Sequence, residues 1–410
     1  MMRQELLCPA GTMESLEAAL HFGADAVYGG MKRFGLRAFA GNFDEPNLRR
    51  AVAITHAAGK KFYLTLNAFP FDDQLDAFVD AARLAAVSGV DAVIVADLGA
   101  IVTLREKVPG LPVHVSTQAS TVNAAACRHY RDLGCTRVIL ARELTVDRIR
   151  RLHDALGDSI ELETFVHGAA CMAWSGRCML SAALTGRSGN QGACAQPCRW
   201  QYAVMEQKRP GEYLPVCEDE NGTYIFSAND LNLMSLLPEL RAAGVASLKI
   251  EGRMKTEYYV ATVTAAYRRG LDLLDRDEAA FRAALPALQA ELRCASHRDS
   301  DTGFALGAPQ KPAGAEGFHQ SREYIARVEE GCAAGGEARF LLKNRFCAGD
   351  TLELLTPSGT VSFEAGSLLR EKTGERVDTL GIGGEIIRLA VPVAVTRGDI
   401  LRGPVRNHRE

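Results

Sequence analysis

Along most of the chain, short apolar runs alternate with longer segments whose apolar residues recur at helical spacing. The runs are Glu5–Pro9 (ELLCP), Ala26–Gly29 (AVYG), Lys61–Asn67 (KFYLTLN), Asp91–Asp97 (DAVIVAD), Pro112–Thr117 (PVHVST), Arg137–Arg142 (RVILAR), Ile160–His167 and Ser247–Glu251 (SLKIE). Each is too short for a helix and carries aliphatic or aromatic residues at most positions, which predicts buried strands. Met13–Phe22, Asn47–Ala58, Gln74–Ser88 and Thr256–Leu274 read as helices. Regular strand–helix alternation means a parallel sheet with helical cover. Eight such units favour an α/β fold of the (β/α)8 TIM-like barrel type. An open doubly wound sheet is the alternative, because periodicity does not reveal closure.

The pattern breaks twice. After the seventh strand, residues 168–200 form a Cys-rich insertion with little periodicity and many Gly, Ser and Asn. A long irregular segment of this kind needs something other than an apolar core to hold it. Near Asp275 the composition changes again. Asp275–Ala295 is a charged, Ala-rich helical stretch, and Ser296–Gln320 is rich in Gly and Pro. Beyond it come short alternating segments, among them Tyr324–Glu329, Glu337–Leu342 and Thr351–Leu355, separated by turns such as Pro357-Ser358-Gly359. The expected organisation is a barrel catalytic domain over 1–275, a helical and Gly/Pro-rich linker over 276–320, and a small C-terminal all-β barrel over 321–410.

Composition adds limits. Hydrophobic residues make up 47% and charged residues 24% of the 410, the balance of a soluble globular protein. No apolar run is long enough to span a bilayer, and MMRQELLCPAG lacks the apolar core of a signal peptide. Eleven cysteines, an odd number, point to a reducing cytoplasm and not to a disulfide framework. A net charge of −3 gives no global attraction to nucleic acid, so RNA binding would need local basic patches.

The insertion holds four of those cysteines, Cys171, Cys178, Cys194 and Cys198. Three readings apply: an iron–sulfur cluster, a zinc site, or buried thiols without metal. Zinc sites often use Cys-x-x-Cys knuckles, and the chain has none. Iron–sulfur clusters accept more varied spacing. Cores do not usually place thiols among Gly, Ser, Asn and Arg. The scattered Cys127, Cys135, Cys294, Cys332 and Cys347 are expected to be dispensable. Cys8 ends the first strand and is a candidate for the barrel mouth.

Active sites of such barrels lie where the strands end. The residues there are Asn67, Asp97, Gln118, Arg142, Glu143, His167, Lys249, Glu251 and Arg253. Polar residues cap strands everywhere, but so many together favour a site. His167, Glu143, Lys249 and Glu251 are the candidates for catalysis, and Gln118, Arg142 and Arg253 for holding a small co-substrate. Gly29-Gly30 reads as a turn after a strand.

ELLCPAGTMESLEAALHFGADAVYGG, ETFVHGAACMAWSGRCMLS, GNQGACAQPCRW, SANDLNLM, SLKIEGRMKTEYYVATVTAAYRRGLD and SHRDSDTGF resemble the family known as peptidase U32, or collagenase-like peptidases. The likeness runs from the N-terminus to the linker, and the tail is similar to that family's C-terminal β domain. The resemblance implies an iron–sulfur (4Fe-4S) protein of oxygen-independent hydroxylation. One branch converts wobble uridine of tRNA to 5-hydroxyuridine using prephenate. Others hydroxylate a ribosomal RNA cytidine or the ubiquinone ring. The β domain and KIEGRMK lie nearest the tRNA branch, so tRNA is the expected partner, and a partner protein is compatible with the reading. Several relatives carry a cluster cysteine in a D-L-C motif. Here Asn232 stands at that position, leaving Cys198 or Cys217 as fourth ligand. The family's name also implies a peptidase, but no HExxH or Gly-x-Ser-x-Gly is present. The remaining alternative is a non-enzymatic cluster-bearing scaffold. Arg177, Arg187 and Arg199, beside Trp174, Trp200 and Tyr202, are the candidates for RNA contact.

Overall fold

A computed structural model describes residues 3–36, 41–171, 175–176, 178–197, 217–219, 222–224, 229–307, 318–380 and 383–406. Strands β1 (Glu5–Pro9), β2 (Ala26–Gly30), β3 (Lys61–Leu66), β4 (Ala92–Val95), β5 (Val113–Val115), β6 (Arg137–Ile139) and β7 (Glu161–Ala169) pair in parallel in that order. Two short strands, β8 (Cys217–Asp219) and β9 (Gly222–Tyr224), form a separate hairpin, and β10 (Asp230–Asn232) runs antiparallel to β7. Strand β11 (Ser247–Ile250) then pairs with both β1 and β7 and closes an eight-stranded parallel barrel. Closure, which the pattern left open, is thus settled for the (β/α)8 barrel.

Helices α1 (Met13–His21), α2 (Glu45–Ala57), α3 (Leu75–Val87), α4 (Leu98–Lys107), α5 (Ala124–Asp132) and α6 (Val146–Leu156) cover the first six connections. Most open on a residue that accepts a backbone N–H. Thr12 caps α1, Asp44 caps α2, Asp97 caps α4 and Thr145 caps α6. Each cap stabilises its helix by about 1 kcal/mol. Short α7 (Leu180–Thr185) lies in the Cys-rich segment, and α8 (Leu237–Ala242) precedes β11. The long α9 (Glu257–Arg276) buries Tyr258, Tyr259 and Tyr267 against the barrel, and α10 (Glu278–Leu292) packs on it. Of the Gly/Pro-rich stretch, Ser300–Asp301 forms β12 beside β10, and His297 bridges His319. The described parts of that stretch are therefore stitched to the barrel edge.

The C-terminal domain is antiparallel and all-β. Its sheet contains β13 (Glu323–Glu330), β14 (Glu337–Leu342), β16 (Thr351–Thr356), β17 (Gly359–Glu364), β18 (Leu368–Arg370), β19 (Arg376–Val377), β21 (Ile386–Ala390) and β22 (Ile400–Gly403). A small pair, β15 (Phe346–Cys347) with β20 (Thr379–Leu380), lies beside it. Phe340, Phe346, Leu354 and Leu389 belong to its own core, whereas Leu355 and Ile400 belong to the barrel's. Arg402, 2% exposed, ties the domains. Its guanidinium reaches Glu291 of α10 at 3.0 Å and Glu353 of β16 at 2.8 Å. The Tyr324 ring stacks on Tyr258, centroids 5.4 Å apart.

Gly29 and Gly30 lie inside β2 and not in a turn. Their lack of side chain makes room: a Cβ on Gly30 would sit 2.1 Å from the Arg253 guanidinium.

Candidate active site at the barrel mouth

Beneath the mouth the barrel is filled by charge as well as by apolar side chains. Arg137 Nη1 lies 2.6 Å from Glu5 and 3.1 Å from Glu163, and its Nε donates to Glu161 at 2.8 Å. Glu5 also accepts from the Tyr63 hydroxyl at 2.8 Å and the Ser247 hydroxyl at 2.9 Å. The second oxygen of Glu163 takes the Lys249 ammonium at 2.9 Å. Each charge is met by an opposite one, which is the condition for burying ions at all. Lys249 is the top of this chain. Its ammonium stands 4.4 Å from the Tyr28 ring centroid and 5.5 Å from that of Phe165, within cation–π range. Burial lowers its pKa, and Glu163 pulls in the opposite direction.

Above Lys249 opens a cavity of about 200 Å³. Six of the predicted strand-end residues line it: Asn67, Gln118, Arg142, Lys249, Glu251 and Arg253. Arg142 donates to the Ala169 carbonyl at 2.6 Å and lies 4.0 Å over the Phe165 ring. Arg253, 5% exposed, donates to the Thr65 hydroxyl at 2.9 Å. The Glu251 carboxylate accepts from the Tyr28 hydroxyl at 3.3 Å. Asn67 accepts the Leu36 N–H at 3.3 Å.

His167 does not line this cavity, which corrects its expected place. Lys249 pairs with Phe165, but Ile250 pairs with His167, so Val166 is an extra residue in the strand. Such a bulge reverses the in–out alternation. Phe165 keeps facing inward, and His167 turns to α9, where its ring meets Tyr259 and Tyr267. Burial lowers its pKa to about 4, with Asp230 opposing. A cysteine peptidase would need a nucleophile beside a base, and Cys171 with His167 does not supply it here, since Cys171 lines the cavity and His167 does not. Glu143 is not a lining residue either. Its carboxylate accepts the Ser175 N–H at 2.9 Å and the Ser175 hydroxyl at 3.2 Å, so it clamps the Cys-rich segment. Asp97 caps α4. Cys8 faces away from the mouth: it takes the Thr264 hydroxyl at 3.3 Å, and burial raises its pKa to about 12.

The Cys-rich segment is stapled over the mouth. Besides the Glu143 clamp, the Ser120 hydroxyl donates to the Ser175 carbonyl, and the Phe69 N–H donates to the Asn190 carbonyl at 3.2 Å. Gly176, at φ +75°, passes so near the Gln118 carbonyl that a Cβ would come within 2.1 Å. This route brings Cys171, Cys178 and Cys194 to the wall of the same cavity. None is in a disulfide, and the Gln196 N–H donates to Cys194 Sγ at 3.4 Å. Among the described residues, no three His, Cys, Asp or Glu side chains are grouped to hold a single metal ion. Thiols are the donor type that iron–sulfur clusters take, and Cys171, Cys178 and Cys194 all line this cavity. Cys198, Arg177, Arg199, Trp174, Trp200 and Tyr202 lie outside the described residues. Cys217 begins the β8–β9 hairpin. Asn232 pairs with His167, and its amide donates to Gln289 of α10 at 2.7 Å.

Sequence reasoning missed Glu5, Tyr63, Arg137 and Glu163. A signal was present: Glu5 and Arg137 open apolar strands, and Tyr63 and Glu163 lie within strands as polar-tipped or charged residues that are nonetheless buried or nearly so.

Comparison with known proteins gives a match to the model of peptidase family U32 over residues 11–314, and to the peptidase family U32 C-terminal domain over residues 320–402. The chain is similar to tRNA hydroxylation protein P of Escherichia coli, 36% identical, with 96% of this chain and 94% of that protein covered. It is 39% identical to a 23S rRNA 5-hydroxycytidine synthase of the same organism, covering 66% of this chain and 40% of that protein. A collagenase of Porphyromonas gingivalis is 37% identical, over 65% of each chain.

Proposed function

The chain belongs to peptidase family U32, in both its main and C-terminal domains, and from that premise we propose that it is an RNA-modifying hydroxylase acting on tRNA. The end-to-end similarity to a protein named for tRNA hydroxylation, β domain included, carries this reading. In finer form, the reaction is oxygen-independent 5-hydroxylation of wobble uridine with prephenate as co-substrate and a 4Fe-4S cluster as cofactor. The cavity supports it. Arg142, Lys249 and Arg253 all line the cavity and suit a small dicarboxylate, since guanidinium groups grip carboxylates in a fork. Cys171, Cys178 and Cys194, with Cys198, would hold the cluster. When bound, such a cluster supplies electron-transfer chemistry beside the cavity. Glu251 and the buried Glu163–Lys249 pair provide proton-bearing groups at the cavity floor.

Nucleosides of tRNA from a strain lacking this protein and any redundant homologue should lack 5-hydroxyuridine-derived species by mass spectrometry. Unchanged tRNA would reject the assignment, and ribosomal RNA and quinones would be examined next. Cys178→Ala should cost the purified protein its iron and its absorbance near about 400 nm. Full iron content in that variant would discard the ligand set.

A further inference from the structure

A second hollow, of about 550 Å³, opens beside the cavity. Gln118, Gly176 and Asn190 belong to both, so the two adjoin at these residues. Phe69, Pro70, Phe71, Leu98 and Tyr130 form its apolar surface. Phe71 is 63% exposed and Leu98 46%. The backbone that presents Phe71 is fixed. Its N–H donates to the Gln74 side chain at 3.0 Å, and the Gln74 N–H returns to the Phe71 carbonyl at 2.8 Å. An exposed apolar patch rimmed by polar groups marks a binding surface. The rim here is Ser188, Asn190 and Gln118. The acidic residue at this groove, Asp97, uses its carboxylate to cap α4, 2.8 Å from the Ala100 N–H. At the junction with the cavity, Gln118 Oε1 is a buried acceptor without a hydrogen-bond partner among the described residues.

We propose that this groove seats the nucleotide adjacent to the target in a single-stranded RNA, with its base against Phe71 and the strand crossing into the cavity at Gln118. This rests on the RNA reading above. A flat ring on a fixed backbone suits a nucleobase of any identity. A side-chain carboxamide offers an adjacent donor and acceptor, the pattern that base edges also carry. The orphaned Gln118 acceptor is matched by a base N–H. A flexible loop nucleotide reaches such a groove without breaking pairs.

The test is titration of the full-length protein with a fluorescently labelled RNA hairpin carrying a uridine in its loop. Phe71→Ala should weaken binding about tenfold, the loss of one stacked base. Phe71→Trp should retain affinity, and its added indole emission should be quenched on binding. Iron content and melting temperature should not change, because the ring is exposed. Unaltered hairpin affinity in Phe71→Ala would overturn the groove assignment and leave the RNA reading standing. Loss of binding to a gelatin-derived peptide, with hairpin affinity intact, would make the groove a peptide site instead. Failure of the unaltered protein to bind the hairpin would overturn both readings.

Discussion

His167 illustrates how one inserted residue redirects chemistry. In the fold it is neutral, because burial lowers its pKa from 6.5 to about 4. Unfolded chains protonate it near its ordinary value. Its contribution to stability is therefore present above pH 6.5 and is lost as pH falls toward 4, on the order of 3 kcal/mol across that window. His167→Gln should remove this component. The melting temperature of the variant should fall less steeply than that of the unaltered protein between pH 6.5 and 4. Identical slopes would mean that His167 is not the buried base described. The misplacement of His167 has a physical cause: alternation along a strand is readable, whereas the bulge at Val166 depends on how β7 meets β11. Lys249 lies in β11 and Glu251 and Arg253 follow it; the extra residue belongs to β7, so their phase was legible.

At the scale of elements, apolar runs bounded by polar residues made the eight barrel strands readable. The short β10 and β12 were not, since their pairing rests on partners and not on composition. The Cys-rich segment was legible as an irregular insertion, but its route over the mouth was not. That route depends on single polar clamps, chiefly Glu143 on Ser175. Glu143→Ala leaves the Ser175 N–H without that acceptor, which costs about 1–3 kcal/mol locally. Hydrogen exchange at Ser175 and Gly176 should accelerate, while α9 and the barrel strands stay protected. Equal exchange in the variant would show that the segment is held by other contacts.

The whole molecule is less divisible than its two sequence domains suggest. Leu355 and Ile400 sit in the barrel's core, and Arg402 neutralises Glu291 across the interface and Glu353 within its own sheet. Removing residues after 320 would uncover this surface, so truncation confounds RNA affinity with folding. Arg402→Ala removes the buried cation between Glu291 and Glu353, leaving Glu291 with Arg269 at 3.6 Å and Glu353 with Arg322 at 2.6 Å. A stability loss of about 3–5 kcal/mol is expected by denaturant unfolding. Arg402→Met paired with Glu291→Leu should recover much of it, since an apolar replacement removes the stranded charge. A single substitution without measurable loss would show that water reaches the interface.

The charges inside the barrel also bear on how the chain is made. Arg137 finds its partners at positions 5 and 163, and Glu163 finds its second at position 249. A ribosome adding roughly 5–20 residues per second needs on the order of ten seconds between Arg137 and Lys249. During that interval Glu5 and Arg137 are already present to meet each other and Glu163, but the second oxygen of Glu163 still lacks its Lys249 partner. Because β11 carries Lys249 and alone joins β1 to β7 in the parallel barrel, completion of the Glu163 pairing and closure of the barrel come together, late in synthesis.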